Sequence, residues 1–222
     1  MNLNKSKEFF DPEKVKKTCH IIGCGSIGSN VAELLVRQGV EDITIWDMDT
    51  VEPHNIVNQL FNETHIGMPK TAALSKILYD INPKLKHTLK IKGKYTNETL
   101  SGFIFMCVDS VEVRQKIVDS NNFNKSIEVI FDFRTTLLQG QSYAANWSLT
   151  KDRKSLRESL DFTHEEAKEN SPVSACGFEL SVAPVVKMTA QMGICNFTNY
   201  INGNPLKHLM ICEPYSFFVE AM

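Results

Sequence analysis

Apolar residues recur along this chain in short unbroken runs that alternate with helical spacings, and the order of the two predicts a parallel sheet flanked by helices. Residues 18–22 form a short apolar run that breaks into Gly23, Gly25 and Gly28. Val31, Leu34, Leu35 and Val40 then supply a helical packing face, and Ile43, Ile45 and Trp46 make a second strand. Pro69 opens a further helical pattern at Ala73, Leu74, Ile77, Leu78 and Ile81, which Pro83 stops. Residues 86–92 read as a third strand, and 103–108 as a continuous run buried on both faces. Val111, Ile117 and Val118 mark a helix, and 127–131 a strand ending at Asp132. Ahead of all this, residues 1–17 are polar and lysine-rich, with Phe9 and Phe10 before a capped helical start at Asp11 and Pro12, and read as a lead-in arm.

The pattern changes after Arg134. Gly140 and the stretch 143–149 suit antiparallel strands, and 151–172 is charge-rich with little apolar periodicity. That segment reads either as a solvated linker or, because loops of such length in compact chains commonly carry function, as a lid or binding loop. Residues 182–200 are apolar enough for a buried helix begun by Pro184, and 208–212 and 217–219 read as closing strands. The expected fold is therefore α/β: a Rossmann-like, mostly parallel sheet flanked by helices, with antiparallel strands in its C-terminal part. The expected organisation is one domain over 1–222, made of the arm 1–17, a half 18–134, and a half 135–222 containing a crossover segment 151–181.

Composition narrows the partners. At 222 residues the chain can bury a sizeable core without a metal or disulfide staple. Its 24 basic and 26 acidic residues leave a net charge of −2, so no global field draws it to nucleic acid or a membrane surface, and neither is an expected partner. Cysteines 19, 24, 107, 176, 195 and 212 are scattered, without a C-x-x-C pair, which argues against a thiolate zinc site and fits a reducing cytoplasm. No run approaches the ~18 apolar residues of a membrane helix, and the first residues lack an apolar signal core.

The chemistry starts at the glycines. G-x-G-x-x-G between a strand and a helix turns tightly and lets backbone approach a phosphate, at which the helix then aims its free N–H groups. Asp47 follows Gly28 by nineteen residues, the distance at which a strand-end carboxylate meets a ribose hydroxyl. Beyond it runs a polar loop with Asp49, Pro53, Asn55 and Asn58, placed where parallel sheets carry ligands.

Four blocks together resemble the ThiF/MoeB/HesA family of adenylating enzymes, related to the activating enzymes of ubiquitin-like proteins. They are G-C-G-S-I-G-S from Gly23, W-D-M-D-T-V-E-P-H-N-I-V-N-Q from Trp46, G-M-P-K ending at Lys70, and C-V-D-S-V-E-V-R from Cys107. The resemblance covers about residues 15–212. It implies that Gly23, Gly25, Ser26, Ile27 and Gly28 cradle ATP, that Asp47 holds the ribose, and that Asn55, Asn58 and Lys70 lie near the phosphates. It implies further that Asp109 binds Mg²⁺, with Ser110 beside it and Asp49 in the same loop. Gly140 followed by Gln141 resembles another family turn, and Cys176, eight residues before Pro184, takes the place of a family cysteine. A homodimer is also implied, and the apolar segment 182–200 is the stretch expected to pack across its interface.

Adenylation requires in-line attack of a carboxylate on the α-phosphorus with pyrophosphate leaving, so phosphate charge must be shielded by cations. Lys70 and a metal on Asp109 would do this, and a thiolate at Cys176 could then displace AMP to give a thioester or acyl disulfide. Blander roles stand beside these: Lys70 as a solvated first-turn lysine, Asp109 as a helix cap, Asp49 as a turn former, and Cys176 as a small loop residue. Where the family has N-x-x-R-Q, this chain has Asn58 before Gln59, and its first arginine is Arg37, so an N-terminal family arginine is also missing. Lys14, Lys16, Lys17 or a partner would have to supply that charge. Ser110 stands in place of the usual asparagine.

Three functions follow. The first is an ATP-dependent adenylyltransferase acting on the C-terminal carboxylate of a small ubiquitin-like or sulfur-carrier protein or of a peptide. The second is a non-catalytic subunit of the same fold. The third is an NAD-dependent dehydrogenase, which would share the glycine turn and Asp47 but has no use for G-M-P-K.

Overall fold

In a computed structural model, which describes every residue except 164, 167–171, 175, 176, 178 and 179, β1 (Cys19–Ile22) lies inside an eight-stranded sheet. The order is β3-β2-β1-β4-β5-β6-β7-β8, with β2 at Ile43–Trp46, β3 at Lys90–Lys92, β4 at Gly102–Met106 and β5 at Ile127–Thr135. These five are parallel; β6 (Gly140–Asn146), β7 (Leu209–Glu213) and β8 (Phe218–Ala221) continue antiparallel. The central strands are buried at every position because both faces are covered, as a parallel sheet requires.

Alternation along the strands sorts two cores. Cys19, Ile21, Ile43, Ile45, Phe105 and Phe131 face α1 (Ser26–Arg37), α2 (Lys70–Ile81) and α6 (Ala183–Ile201), with a one-turn α3 (Leu85–Thr88) beside them. Ile22, Trp46, Ile104, Met106 and Ile130 face α4 (Val111–Ser120) and α5 (Thr150–Glu158). Phe197 of α6 sets its ring edge-on to Phe103 at 5.1 Å and to Phe105 at 5.6 Å, which fastens that helix to its own sheet. Ala183–Ile201 is thus a core helix whose apolar face is taken up by its own sheet, with Lys187, Gln191, Cys195 and Asn199 left on its exposed side.

Four local expectations change. Residues 86–92 do not form one strand: Asn82 and Pro83 turn the chain into α3, which drops Leu85 into the core, and only Lys90–Lys92 pair with β2. Residues 151–158 are not linker but most of α5, whose Asp152 and Leu156, one turn apart, are both buried. β5 does not end at Asp132 but runs on to Thr135, which pairs with Gly140, so Asp132 is an interior strand residue with no exposure at all. Cys107, expected within a strand, lies just past β4.

Candidate functional site

β1 and β4 are neighbours whose outgoing chains leave toward opposite faces, α1 to one core and α4 to the other, which opens a crevice at their C-terminal ends. Gly23 turns the chain there at φ +96°, donating its N–H to the Trp46 carbonyl at 2.8 Å. A Cβ on Gly23 would lie 2.7 Å from the Cys107 carbonyl oxygen, and one on Gly28 would lie 1.8 Å from that of Gly23. Both glycines are demanded by close packing. A Cβ on Gly25 would meet nothing within 4 Å, so its face is open to a ligand.

The N-terminus of α1 has no side-chain cap, and its first bond runs from the Ser29 N–H to the Gly25 carbonyl at 3.0 Å. The preceding N–H groups of Ser26, Ile27 and Gly28 are therefore available to an anion. Ile27 itself is buried in the core, so only its backbone faces the crevice.

Asp47 is fixed by this turn. Its Oδ2 accepts the Cys24 N–H at 2.6 Å and its Oδ1 accepts the Asp49 N–H at 2.8 Å. The G-M-P-K block then folds back on the loop: Lys70 N–H donates to the Asp49 carbonyl, Val51 N–H to Met68 and Gly67 N–H to Val51, each at 2.8 Å. This ladder brings Lys70 Nζ to 3.1 Å from Asp49 Oδ2, with the lysine side chain only 11% exposed against 55% for the aspartate. Lys70 is thus a held, half-sheltered cation and not a solvated one. Asn55 is a buried corner whose Oδ1 accepts the Glu52 N–H at 2.9 Å, and Asn58 closes the turn Pro53–Val57. Both shape the loop.

Asp109 is exposed and makes no hydrogen bond or ion pair among the described residues. Ser110, not Asp109, caps α4, accepting the Val113 N–H at 3.2 Å and donating to Glu112 at 2.7 Å. A free carboxylate beside the glycine turn suits a divalent cation, with the open Gly25 face and the uncapped helix suited to phosphates. Beneath it lies a group that pattern reading did not single out: Arg114 donates to Asp132, to the Phe133 carbonyl and to the Val108 carbonyl. Arg134 donates to the other oxygen of Asp132 at 2.7 Å. The available signal was two residues of strand, Asp132 and Arg134, on one face, with Arg114 closing the fourth sequence block.

Other expected participants fall elsewhere. Cys176 lies outside the described residues. Burial pushes the thiols of Cys19, Cys24, Cys107, Cys195 and Cys212 up from their ordinary range, so none of these is a ready thiolate. Lys17 pairs with Glu128 at 2.5 Å, and Lys14, Lys16 and Lys17 all precede β1, about 13 Å of strand from the glycine turn. A hollow of about 640 Å³ is lined by Glu33, Arg37 and Asp80 toward the C-terminal ends of α1 and α2 and by His65 of the turn Glu63–His65, away from the crevice.

A model of the ThiF family matches residues 12–218. Ubiquitin-like modifier-activating enzyme 5 of Oryza sativa subsp. japonica is 31% identical over 120 residues, covering 46% of this chain and 28% of that protein. Molybdopterin-synthase adenylyltransferase of Haemophilus influenzae is 31% identical over 121 residues, covering 51% of this chain and 49% of that one. The chain therefore spans at most about half the length of these curated relatives. The crystal structure of E. coli MccB with ATP superposes with a TM-score of 0.66 at 18% identity, over 95% of this chain and 64% of that chain. The Microcin C7 biosynthetic enzyme MccB in complex with N-formylated MccA gives 0.67 at 15%, over 95% and 66%. At such identities the likeness is one of fold.

Proposed function

Because the chain belongs to the ThiF family, we propose that it is an ATP-dependent adenylyltransferase activating the C-terminal carboxylate of a small ubiquitin-like or sulfur-carrier protein or of a peptide. The observation that carries this reading is the linked set at the β1–β4 crevice: an uncapped α1, Asp47 held by the Cys24 N–H, Lys70 held by Asp49, and Asp109 free. In it Asp47 takes the ribose, the first turn of α1 and Lys70 take phosphate oxygens, and Asp109 holds Mg²⁺. The metal, when bound, supplies neutralising charge to the phosphates. The acyl carboxylate attacks the α-phosphorus, the bond to the pyrophosphate oxygen breaks, and Lys70 offsets the charge that leaves. The names of the relatives support a carrier protein, and the MccB complex with N-formylated MccA supports a peptide, as the acyl donor.

A dehydrogenase reading has less support, because it gives no role to the ladder that seats Lys70 against Asp49. The non-catalytic reading is favoured by two observations: Asn58 stands where the resemblance leads one to expect arginine, and Lys17 is tied to Glu128 at the other end of β1. In the adenylyltransferase reading a homodimer partner supplies that cation. Exchange of labelled pyrophosphate into ATP, driven by small proteins and peptides with a free Gly-Gly end, separates the two. Exchange with any of them supports adenylation, and binding of ATP without exchange across the panel favours the non-catalytic subunit.

A further inference from the structure

Asp132 has no solvent exposure, and two arginines from different elements meet on its two oxygens. A buried ion triad is a poor source of stability, since well-packed apolar side chains of the same volume are commonly as stable or more so. What this triad does reach is backbone at two distant places. Arg114, on α4, extends past Asp132 to the Val108 carbonyl, one residue ahead of Asp109. Arg134, on β5, donates to the Ser159 carbonyl at 2.7 Å and to its Oγ at 2.8 Å, just past α5. The Arg134 guanidinium also lies 4.1 Å over the Tyr143 ring and 5.5 Å from that of Phe162. Each guanidinium spreads its donors over a wide, rigid fork that spans acceptors lying apart, whereas a lysine's compact ammonium in either place would not hold the same carboxylate and carbonyl in that fixed geometry.

We propose that Asp132 is a positioning residue that ties the turn bearing Asp109 and the chain leaving α5 to one buried carboxylate. This rests on the reading of Asp109 as the metal-holding acid. Because Asp109 has no bond of its own, its direction is set by the backbone on either side: the Ser110 cap after it and the Val108 carbonyl before it. Arg114 holds that carbonyl, and Asp132 holds Arg114. The same carboxylate, through Arg134, holds the start of the segment that leads from α5 toward α6, so a change at one place is transmitted to the other.

Asp132→Ala would leave one buried and one part-buried cation unpaired and endanger the fold, so the test uses Asp132→Asn, Arg114→Lys and Arg134→Lys, each checked for a native circular dichroism spectrum. Hydrogen exchange on the protein without nucleotide is read at 107–110 and 159–162, and ATP affinity is measured by calorimetry with and without Mg²⁺. In Asp132→Asn, exchange rises roughly tenfold at both places, and the gain in ATP affinity on adding Mg²⁺ is lost while metal-free affinity is kept. Arg114→Lys reproduces the effect at 107–110 with the loss of the Mg²⁺ gain, whereas Arg134→Lys loosens 159–162 alone. Exchange in Asp132→Asn that is unchanged, or changed at one place only, overturns the tie. A full Mg²⁺ gain despite a loosened 107–110 turn overturns the positioning role. Should the unaltered protein show no Mg²⁺ gain, the reading of Asp109 fails, and the exchange pattern alone still decides whether Asp132 joins the two places.

Discussion

The Asp47 carboxylate accepts the Cys24 N–H at 2.6 Å, so the acid at the end of β2 and the glycine turn after β1 are fixed to each other before any ligand arrives. Asp47→Asn keeps an oxygen for that N–H but removes the charge that two ribose hydroxyls would meet. A charged hydrogen bond contributes about 1.5–3 kcal/mol, so ATP affinity should fall roughly tenfold to a hundredfold. Titration calorimetry reads this, and a thermal melt of the variant should fall only modestly, since Asn keeps the Cys24 N–H but cannot also accept the Asp49 N–H. An unchanged affinity would leave Asp47 as a brace for the turn and nothing more.

Gly25 and Gly28 should separate function from packing. Gly28→Ala drives a methyl into the Gly23 carbonyl and should cost on the order of 1–3 kcal/mol, read as a lower midpoint in urea. Gly25→Ala adds a methyl that meets no atom within 4 Å, so the midpoint should hold while ATP binding weakens. A Gly25→Ala protein that binds ATP normally would move the phosphates away from this face.

Lys70 and Asp49 form a pair that a phosphate must share. Lys70→Ala should weaken ATP by at least about tenfold, from loss of a charge-assisted contact, yet leave AMP nearly unaffected because AMP lacks the outer phosphates. Competition of each nucleotide against a fluorescent ATP analogue gives the split. Equal losses for ATP and AMP would assign Lys70 to the loop and not to the phosphate chain.

His20 gives a pH signature independent of any nucleotide. Its Nδ1 accepts the Trp46 indole N–H at 3.4 Å and its Nε2 is buried without a partner. Burial lowers its pKa from 6.5 to about 4, with Asp42 opposing and Lys90 assisting. Above about 6.5 both folded and unfolded His20 are neutral, and its full contribution is present. Between 6.5 and 4 the unfolded chain takes a proton that the native one refuses, so stability falls as pH falls, by roughly 3 kcal/mol in all. Below about 4 both are charged and the loss stops. His20→Phe should flatten this part of the urea-unfolding profile between pH 7 and 4.5; a profile parallel to that of the unaltered protein would assign the acid sensitivity to other groups.

The parts of the site that were legible in the sequence are those whose meaning is local. The spacing of Gly23, Gly25 and Gly28, the acid at Asp47 and the proline before Lys70 each constrain a turn within a few residues. Asp132 was not legible, because a strand pattern that reaches an aspartate reads as ended, and what keeps it buried is Arg114 from a different element. α5 was hidden for a related reason: in T-K-D-R-K-S-L-R-E the buried stripe is only Asp152 and Leu156, and Asp152 counts as apolar to no scale. It is buried because its Oδ2 accepts the Asn146 N–H at 3.1 Å, a partner on β6. Ser110 looks in sequence like a departure from the motif, and in the fold it is the helix cap that leaves Asp109 free.

The most direct test of the account is calorimetry of the protein with ATP and Mg²⁺, ATP alone, and NAD, repeated on Asp109→Ala. The crevice as described should bind ATP, bind it more tightly with Mg²⁺, and bind NAD weakly or not at all. Asp109→Ala should bind ATP with no gain from the metal and with an unchanged melting temperature, since Asp109 is exposed and unbonded. Tighter binding of NAD than of ATP, or a full Mg²⁺ gain in Asp109→Ala, would contradict it.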